Sequence, residues 1–203
     1  MAGIGPFCPG YVLISPSGHV DALARIPERD RPSFRRFVVT CLDMLAAVFG
    51  EVTYWEHGGS SPGRSHSACL DHAHLHVIPG GFEEPPDLPR PGVVYHAGLG
   101  AFLGDPGAHE RTYLLFGTVS GQCRVTADVG VSQYFRRRIA IQLGIPDEWD
   151  YAAVPRYDVV RMTIDLIEPI LRGSNHGKAA DPGAAGIRLR GRGGCLGSDG
   201  SDQ

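Results

Sequence analysis

Residues 69–80 read CLDHAHLHVIPG, with His72, His74 and His76 on every second position and Ala73, Leu75, Val77 and Ile78 around them. Alternation with period 2 is the pattern of a strand, so the three imidazoles share one face and Ala73, Leu75 and Val77 the other. Alternate Cα atoms on a strand stand about 6.6 Å apart. Such a row has three physical readings. The first is a polar face turned to water. The second is zinc, since neutral imidazoles are good ligands and three of them can hold a catalytic ion. Three successive same-face positions lie in a line, however, whereas a tetrahedral ion needs converging ligands. A strand usually supplies two, and the third would come from His19, His57 or His66. The third reading is nucleophilic catalysis at phosphorus. Imidazole titrates near 6.5, so its free base is available at neutral pH. It can take a nucleotidyl group and pass it to water in two easier steps. A neighbouring histidine can protonate the leaving atom. The Gly-rich loop 58–69 can turn backbone N–H groups toward phosphate oxygens.

These side chains must be held by a scaffold, and the flanking sequence predicts one. GYVLIS (10–15), β-branched and followed by PSG, reads as a strand ending in a turn. Residues 30–50 carry Phe34, Phe37, Val38, Leu42, Leu45, Ala46 and Phe49 at helical spacing, with Gly50 as a stop. EVTYWEHGG (51–59) is a strand entering the Gly-rich loop. Residues 80–91, with four prolines and two glycines, predict an irregular excursion. RTYLLFGTV (111–119) and GQCRVTADV (121–129) predict two strands turning at Ser120-Gly121. Residues 131–144 predict a helix closed by Gly144, and 156–173 another, kinked or ended near Pro169. The predicted class is α+β, an antiparallel sheet that buries one face on helices and uses the other as a platform. Residues 1–172 form the predicted domain, and 173–203, rich in Gly, Ala, Ser, Asp and Arg, read as a disordered tail.

Composition sets limits on function. The 203 residues are 42% hydrophobic and 20% charged, with a net charge of -3, which fits one globular domain without a nucleic-acid-binding surface. No apolar run approaches the length of a membrane span. The N-terminus lacks the basic residue of a signal peptide, and Pro6 and Pro9 interrupt it. Cys8, Cys41, Cys69, Cys123 and Cys195 are odd in number and widely spread, which is not a disulfide framework or a zinc finger. A reducing, cytoplasmic setting is the simplest reading.

HAHLHVI has the form His-φ-His-φ-His-φ-φ, φ being apolar, and so resembles the signature of the histidine triad (HIT) family of nucleotide hydrolases and transferases. GYVLISPSGHV (10–20) is similar to the strand and turn that family places ahead of its loop. WEHG together with DHAHLHVIP resembles one branch of it, and SQYFRRRIAIQLGIPDEWDY (132–151) resembles the segment after the sheet in that branch. The likeness is strongest over 10–80 and weaker over 110–172. It implies an HIT-like fold and a site in which His74 attacks the α-phosphorus and carries the nucleotidyl group. It further implies that His76 contacts the phosphate or bridging atom and helps the leaving group depart. His72 would orient the imidazole of His74 through its backbone carbonyl, and His19 would be an auxiliary group. No metal cofactor is implied, although Mg²⁺ could accompany a polyphosphate substrate. A homodimer paired edge to edge is also implied.

The sequence departs from the family pattern in three places. Ser67, Ala68 and Cys69 stand where many members carry Gly-Gln-Ser or Gly-Gln-Thr, so a thiol, a weak donor, replaces the phosphate-binding hydroxyl unless Ser67 substitutes. Glu56 stands where many members carry Asn or Gln. An ionised carboxylate would repel phosphate, so Glu56 points elsewhere, is protonated, binds a ribose hydroxyl, or is a structural partner of His57 or an arginine. Only nine residues precede Gly10, so the likeness implies either a sequence that starts late or an N-terminally truncated version of the fold that lacks its nucleoside-binding edge and leaves a strand edge unpaired.

Gln133 and Arg137, four apart in the predicted helix 131–144, share a face and are candidates to reach phosphate, with Arg136 beside them. A solvated basic helix face is their other reading. The expected function is a nucleotide hydrolase or nucleotidyl transferase acting at the α-phosphate through a nucleotidyl-histidine and releasing a nucleoside monophosphate. Its substrate would be a nucleotide-type small molecule, not nucleic acid or membrane. The alternatives are a non-catalytic nucleotide-binding protein and a histidine-ligated metal hydrolase.

Overall fold

The computed structural model describes residues 3–59, 72–89, 92–104 and 112–175. Its centre is an open, six-stranded sheet in which every neighbouring pair is antiparallel, with the order β1-β3-β2-β5-β6-β4. The strands are β1 (Val12–Ile14), β2 (Val52–Gly58), β3 (Leu75–Pro79), β4 (Val94–His96), β5 (Tyr113–Thr118) and β6 (Cys123–Ala127). The helices are α1 (Arg31–Phe49), α2 (Leu99–Gly104), α3 (Tyr134–Gln142) and α4 (Tyr157–Asn175), with a single 3-10 turn at Leu23–Arg25. The architecture is α+β, as the sequence predicts.

Helix α1 follows from its stripe. Phe34, Val38, Leu42 and Leu45, spaced by three and four, are buried against the sheet. Phe37 lies off that stripe and is exposed. Gly50 ends the helix with φ +82° and donates its N–H to Ala46 O, a conformation glycine adopts without a Cβ clash. This face of the sheet contributes Val52, Tyr54, Leu75, Val77, Tyr113 and Leu115 to one core.

The opposite face is not the open platform expected. Trp55, Ile78, Leu114 and Phe116 form a second core with Tyr134, Phe135, Ile139 and Ala140 of α3 and with Phe7, Tyr11 and Leu88. Strand β5 is apolar on both faces and β3, with His76 on the second one, is buried on both, and such strands need cover on both sides. Part of that cover is the irregular segment 80–89. It is pinned by Arg124 Nη2 and Thr126 Oγ1, which donate to Pro89 O at 2.8 and 2.7 Å, and by Tyr134, whose hydroxyl donates to Asp87 Oδ1 at 2.9 Å.

Two further elements depart from expectation. Strand β4 and helix α2 occupy 94–104, where no periodicity announces them. α2 reads LGAFLG, with two glycines and poor helix propensity, and it is held by burial of Leu99, Phe102 and Leu103. Helix α4 runs through Pro169 to Asn175 instead of ending there. It is anchored by Thr163, whose buried Oγ1 accepts the N–H of Gly10 at 3.0 Å and donates to Val159 O at 2.9 Å. The predicted tail beyond residue 175 lies outside the described residues. Cys8 is disulfide-bonded, a departure from the all-thiol reading, while Cys41 and Cys123 are free thiols. No helix among the described residues is long and apolar enough to cross a membrane.

Candidate active site

Strand β3 lies between β1 and β2, so His76 pairs with Leu13 on one side and Trp55 on the other. The ladder begins only at Leu75, and His72 and His74 precede it, although a strand over 71–79 was expected. The reason is local. The carbonyl of His72 accepts a hydrogen bond from His74 Nδ1 at 2.8 Å. Ala73 is fixed instead by its N–H to Val20 O at 2.6 Å and by Ser15 Oγ, which donates to Ala73 O at 2.9 Å. The alternation survives: Ala73, Leu75 and Val77 enter the α1-side core, and the histidines face the other way.

Each imidazole has a different partner. His72 Nε2 donates to Pro16 O at 3.0 Å, and its ring lies edge-on to that of exposed His19, 5.5 Å between centroids. His74 and His76 meet edge to face at 4.7 Å. The ring of His76 stacks on Trp55 at 5.0 Å and 7°, and its Nδ1 lies 2.5 Å from the Tyr11 hydroxyl. Neither Nε2, of His74 or of His76, has a hydrogen-bond partner among the described residues. Burial lowers the pKa of His74. Burial, followed by the neighbouring His74 and Arg136, lowers that of His76 well below the usual histidine value. Both rings are therefore neutral near pH 7, the form a nucleophile requires.

Behind Tyr11 stands Arg136. Its Nη1 donates to the Tyr11 hydroxyl at 3.2 Å, its Nη2 to Gly5 O at 2.8 Å and its Nε to Trp149 O at 2.7 Å. The guanidinium lies 4.5 Å over the Phe7 ring. It is buried, with no carboxylate in ion-pair contact among the described residues. On the same face His57 Nε2 pairs with Asp128 Oδ1 at 2.9 Å.

The remaining predicted residues fall elsewhere. Glu56 is on the opposite face of β2, fully buried in the α1-side core. Its Oε1 accepts the Leu23 N–H at 2.8 Å and its Oε2 the Tyr113 hydroxyl at 2.5 Å. Gly58 makes room for this, since a Cβ there would sit 2.3 Å from Tyr113 Cζ. Burial pushes the Glu56 carboxyl up to about 8. The structure therefore gives Glu56 a structural role and no route to a substrate beside the histidines. Gln133 is the left-handed N-cap of α3 (φ 53°), buried, with Oε1 unpaired among the described residues. Arg137 packs its guanidinium 3.3 Å over Trp149 and donates from Nε to Ser132 O at 3.1 Å. Because α3 starts at Tyr134, the arginine on the histidine side is Arg136, one residue from the expected Arg137, and it reaches His76 through the Tyr11 hydroxyl. Ser67 and Cys69 lie outside the described residues.

Tyr11 and Trp55 are the contributors that sequence reasoning missed, and Arg136, expected only as a neighbour of Arg137 within reach of phosphate, supports the site through Tyr11 instead. For Arg136 a signal existed: with Ile139 and Ala140 it forms an i, i+3, i+4 set on the buried stripe of α3, where an arginine must find partners. Among the described residues no group of three His, Cys, Asp or Glu side chains is arranged to hold a metal ion. No protein-family model matches the chain, and no curated protein matches it.

Proposed function

We propose that the chain is an HIT-like nucleotide hydrolase or nucleotidyl transferase that acts at an α-phosphorus through His74. The observation that carries this reading is the 2.8 Å bond from His74 Nδ1 to the His72 carbonyl. A carbonyl can only accept, so the proton sits on Nδ1 and the lone pair on Nε2, the nitrogen with no partner among the described residues. The resemblance of HAHLHVI to the HIT signature points to the same atom.

In the first step His74 Nε2 attacks the α-phosphorus. A P–N bond forms, the bond from phosphorus to the leaving group breaks, and His76 protonates the departing atom. In the second step an acceptor, water in a hydrolase, attacks the phosphorus. Its proton goes back to His76, the P–N bond breaks, and the nucleoside monophosphate leaves. Any Mg²⁺ would arrive with a polyphosphate substrate. His72 stands behind His74 through its carbonyl, with the His19 ring edge-on to its own.

The test is nucleoside monophosphate release from a panel of a dinucleoside polyphosphate, an adenosine phosphoramidate and a nucleotide sugar. Release by the wild type and a loss on the order of 10⁴-fold in His74→Ala are expected. Release that persists in His74→Ala, or binding of the panel without release, would remove the covalent mechanism.

A further inference from the structure

Resting on that reading, we propose that Arg136 and Tyr11 are positioning residues that fix His76 as the tautomer protonated on Nε2, making it a ready donor to the leaving group. The argument starts from what each group can do. A guanidinium carries donors only. Arg136 Nη1 therefore gives its proton to the Tyr11 oxygen at 3.2 Å, and the short 2.5 Å contact of that oxygen with His76 Nδ1 is where the phenolic proton is set. An Nδ1 that accepts is unprotonated, so the proton of the neutral ring lies on Nε2.

The two adjacent imidazoles are thus set in opposite senses by unlike partners. A carbonyl acceptor behind His74 puts the lone pair on its Nε2. A hydroxyl donor behind His76 puts the proton on its Nε2. The pair meets at 4.7 Å with one nitrogen ready to attack and one ready to give a proton. A nucleophile and an acid are required together in the first step. As His76 Nε2 gives its proton to the leaving atom, Nδ1 takes the phenolic proton, so the ring stays neutral and the charge rests on the Tyr11 oxygen beside the Arg136 guanidinium. The proton taken from water in the second step reverses this relay.

Arg136 is suited to this task by its rigidity. Two of its nitrogens are tied to the Gly5 and Trp149 carbonyls, and Phe7 lies under its plane, so its third contact cannot swing away from Tyr11. Its charge polarises the phenol and strengthens the donation to His76. Trp55, stacked on the far side, holds the ring plane. The same arginine ties the segment before β1 to α3 and to the Trp149 loop, and this places the N-terminal residues in the site's support.

The experiment is long-range ¹H–¹⁵N correlation of ¹⁵N-histidine-labelled full-length protein, comparing wild type with Tyr11→Phe and needing no substrate. The expected result is His76 with a pyridine-type Nδ1 and a protonated Nε2 in the wild type. Tyr11→Phe should lose that preference while His74 keeps its own. His76 protonated on Nδ1 in the wild type, or an unchanged tautomer in a folded Tyr11→Phe, would overturn the inference. As a second readout, Tyr11→Phe should slow kcat about tenfold or more for a poorly stabilised leaving group and less than about threefold for a phenolate, a split that a general packing defect does not produce. If no substrate in the panel turns over, the proposed function fails, and the tautomer measurement still decides this inference.

Discussion

The sheet carries a buried titratable cluster on each face, and the two differ in what they leave open. On the α1 side, Glu56 is closed: one carboxyl oxygen is engaged by the Leu23 N–H and the other by the Tyr113 hydroxyl. On the α3 side, His74 and His76 each use one ring nitrogen for the protein and keep the other without a partner among the described residues. A structural polar cluster saturates its groups, because unsatisfied buried atoms destabilise the fold. A reactive one must hold some in reserve. Neighbouring residues of one strand thus take different tasks: Glu56 braces the 3-10 turn, while Trp55 supports the histidines.

The comparison is broken most severely at the histidines. His76→Gln should keep the fold, since an amide can still bond Tyr11, and should slow nucleoside monophosphate release about 10²–10⁴-fold. The loss should be smallest for leaving groups that need no proton. Steady-state rates across leaving groups check this, and a uniform loss would assign His76 to binding alone.

A smaller effect is expected on the other face, with a different readout. The Glu56 carboxyl is raised to about 8 from an ordinary 4.5, mainly by burial. Between these values the folded protein holds a proton that the unfolded chain has released, so stability falls as pH rises through this window. The depressed histidines act oppositely: their contribution is lost as pH falls below about 6.5. Glu56→Gln should remove the alkaline loss, so its Tm exceeds that of the wild type increasingly from about pH 5 to pH 8. Its turnover should stay within about twofold. Thermal melts across pH, paired with one activity assay, check both. A turnover defect with an unchanged melt would move Glu56 into the site.

The parts legible in the sequence are those set by local periodicity. The α1 stripe, β2, the β5–β6 pair and the placement of the histidines on the face opposite Ala73, Leu75 and Val77 follow from spacing alone. Helix α2 and strand β4 were not legible, because six and three residues are too few for a pattern and tertiary burial overrides two glycines. The partners of the imidazoles were hidden for another reason. Tyr11 meets His76 across a sequence separation of 65, and Arg136 meets Tyr11 across one of 125, and only the sheet register and the covered second face bring them together. The expected Arg137 missed by one residue because Gln133 caps α3 in a left-handed turn rather than entering it.

The central claim is a phosphorus–nitrogen bond on His74. Wild type mixed with a nucleotide substrate, quenched under alkaline denaturing conditions within a single turnover and digested, should yield a peptide containing His74 heavier by one nucleotidyl group. The adduct should be absent from His74→Ala and should decay at the rate of product release. Product formation with no adduct on this time course, or an adduct on another residue, would contradict the account.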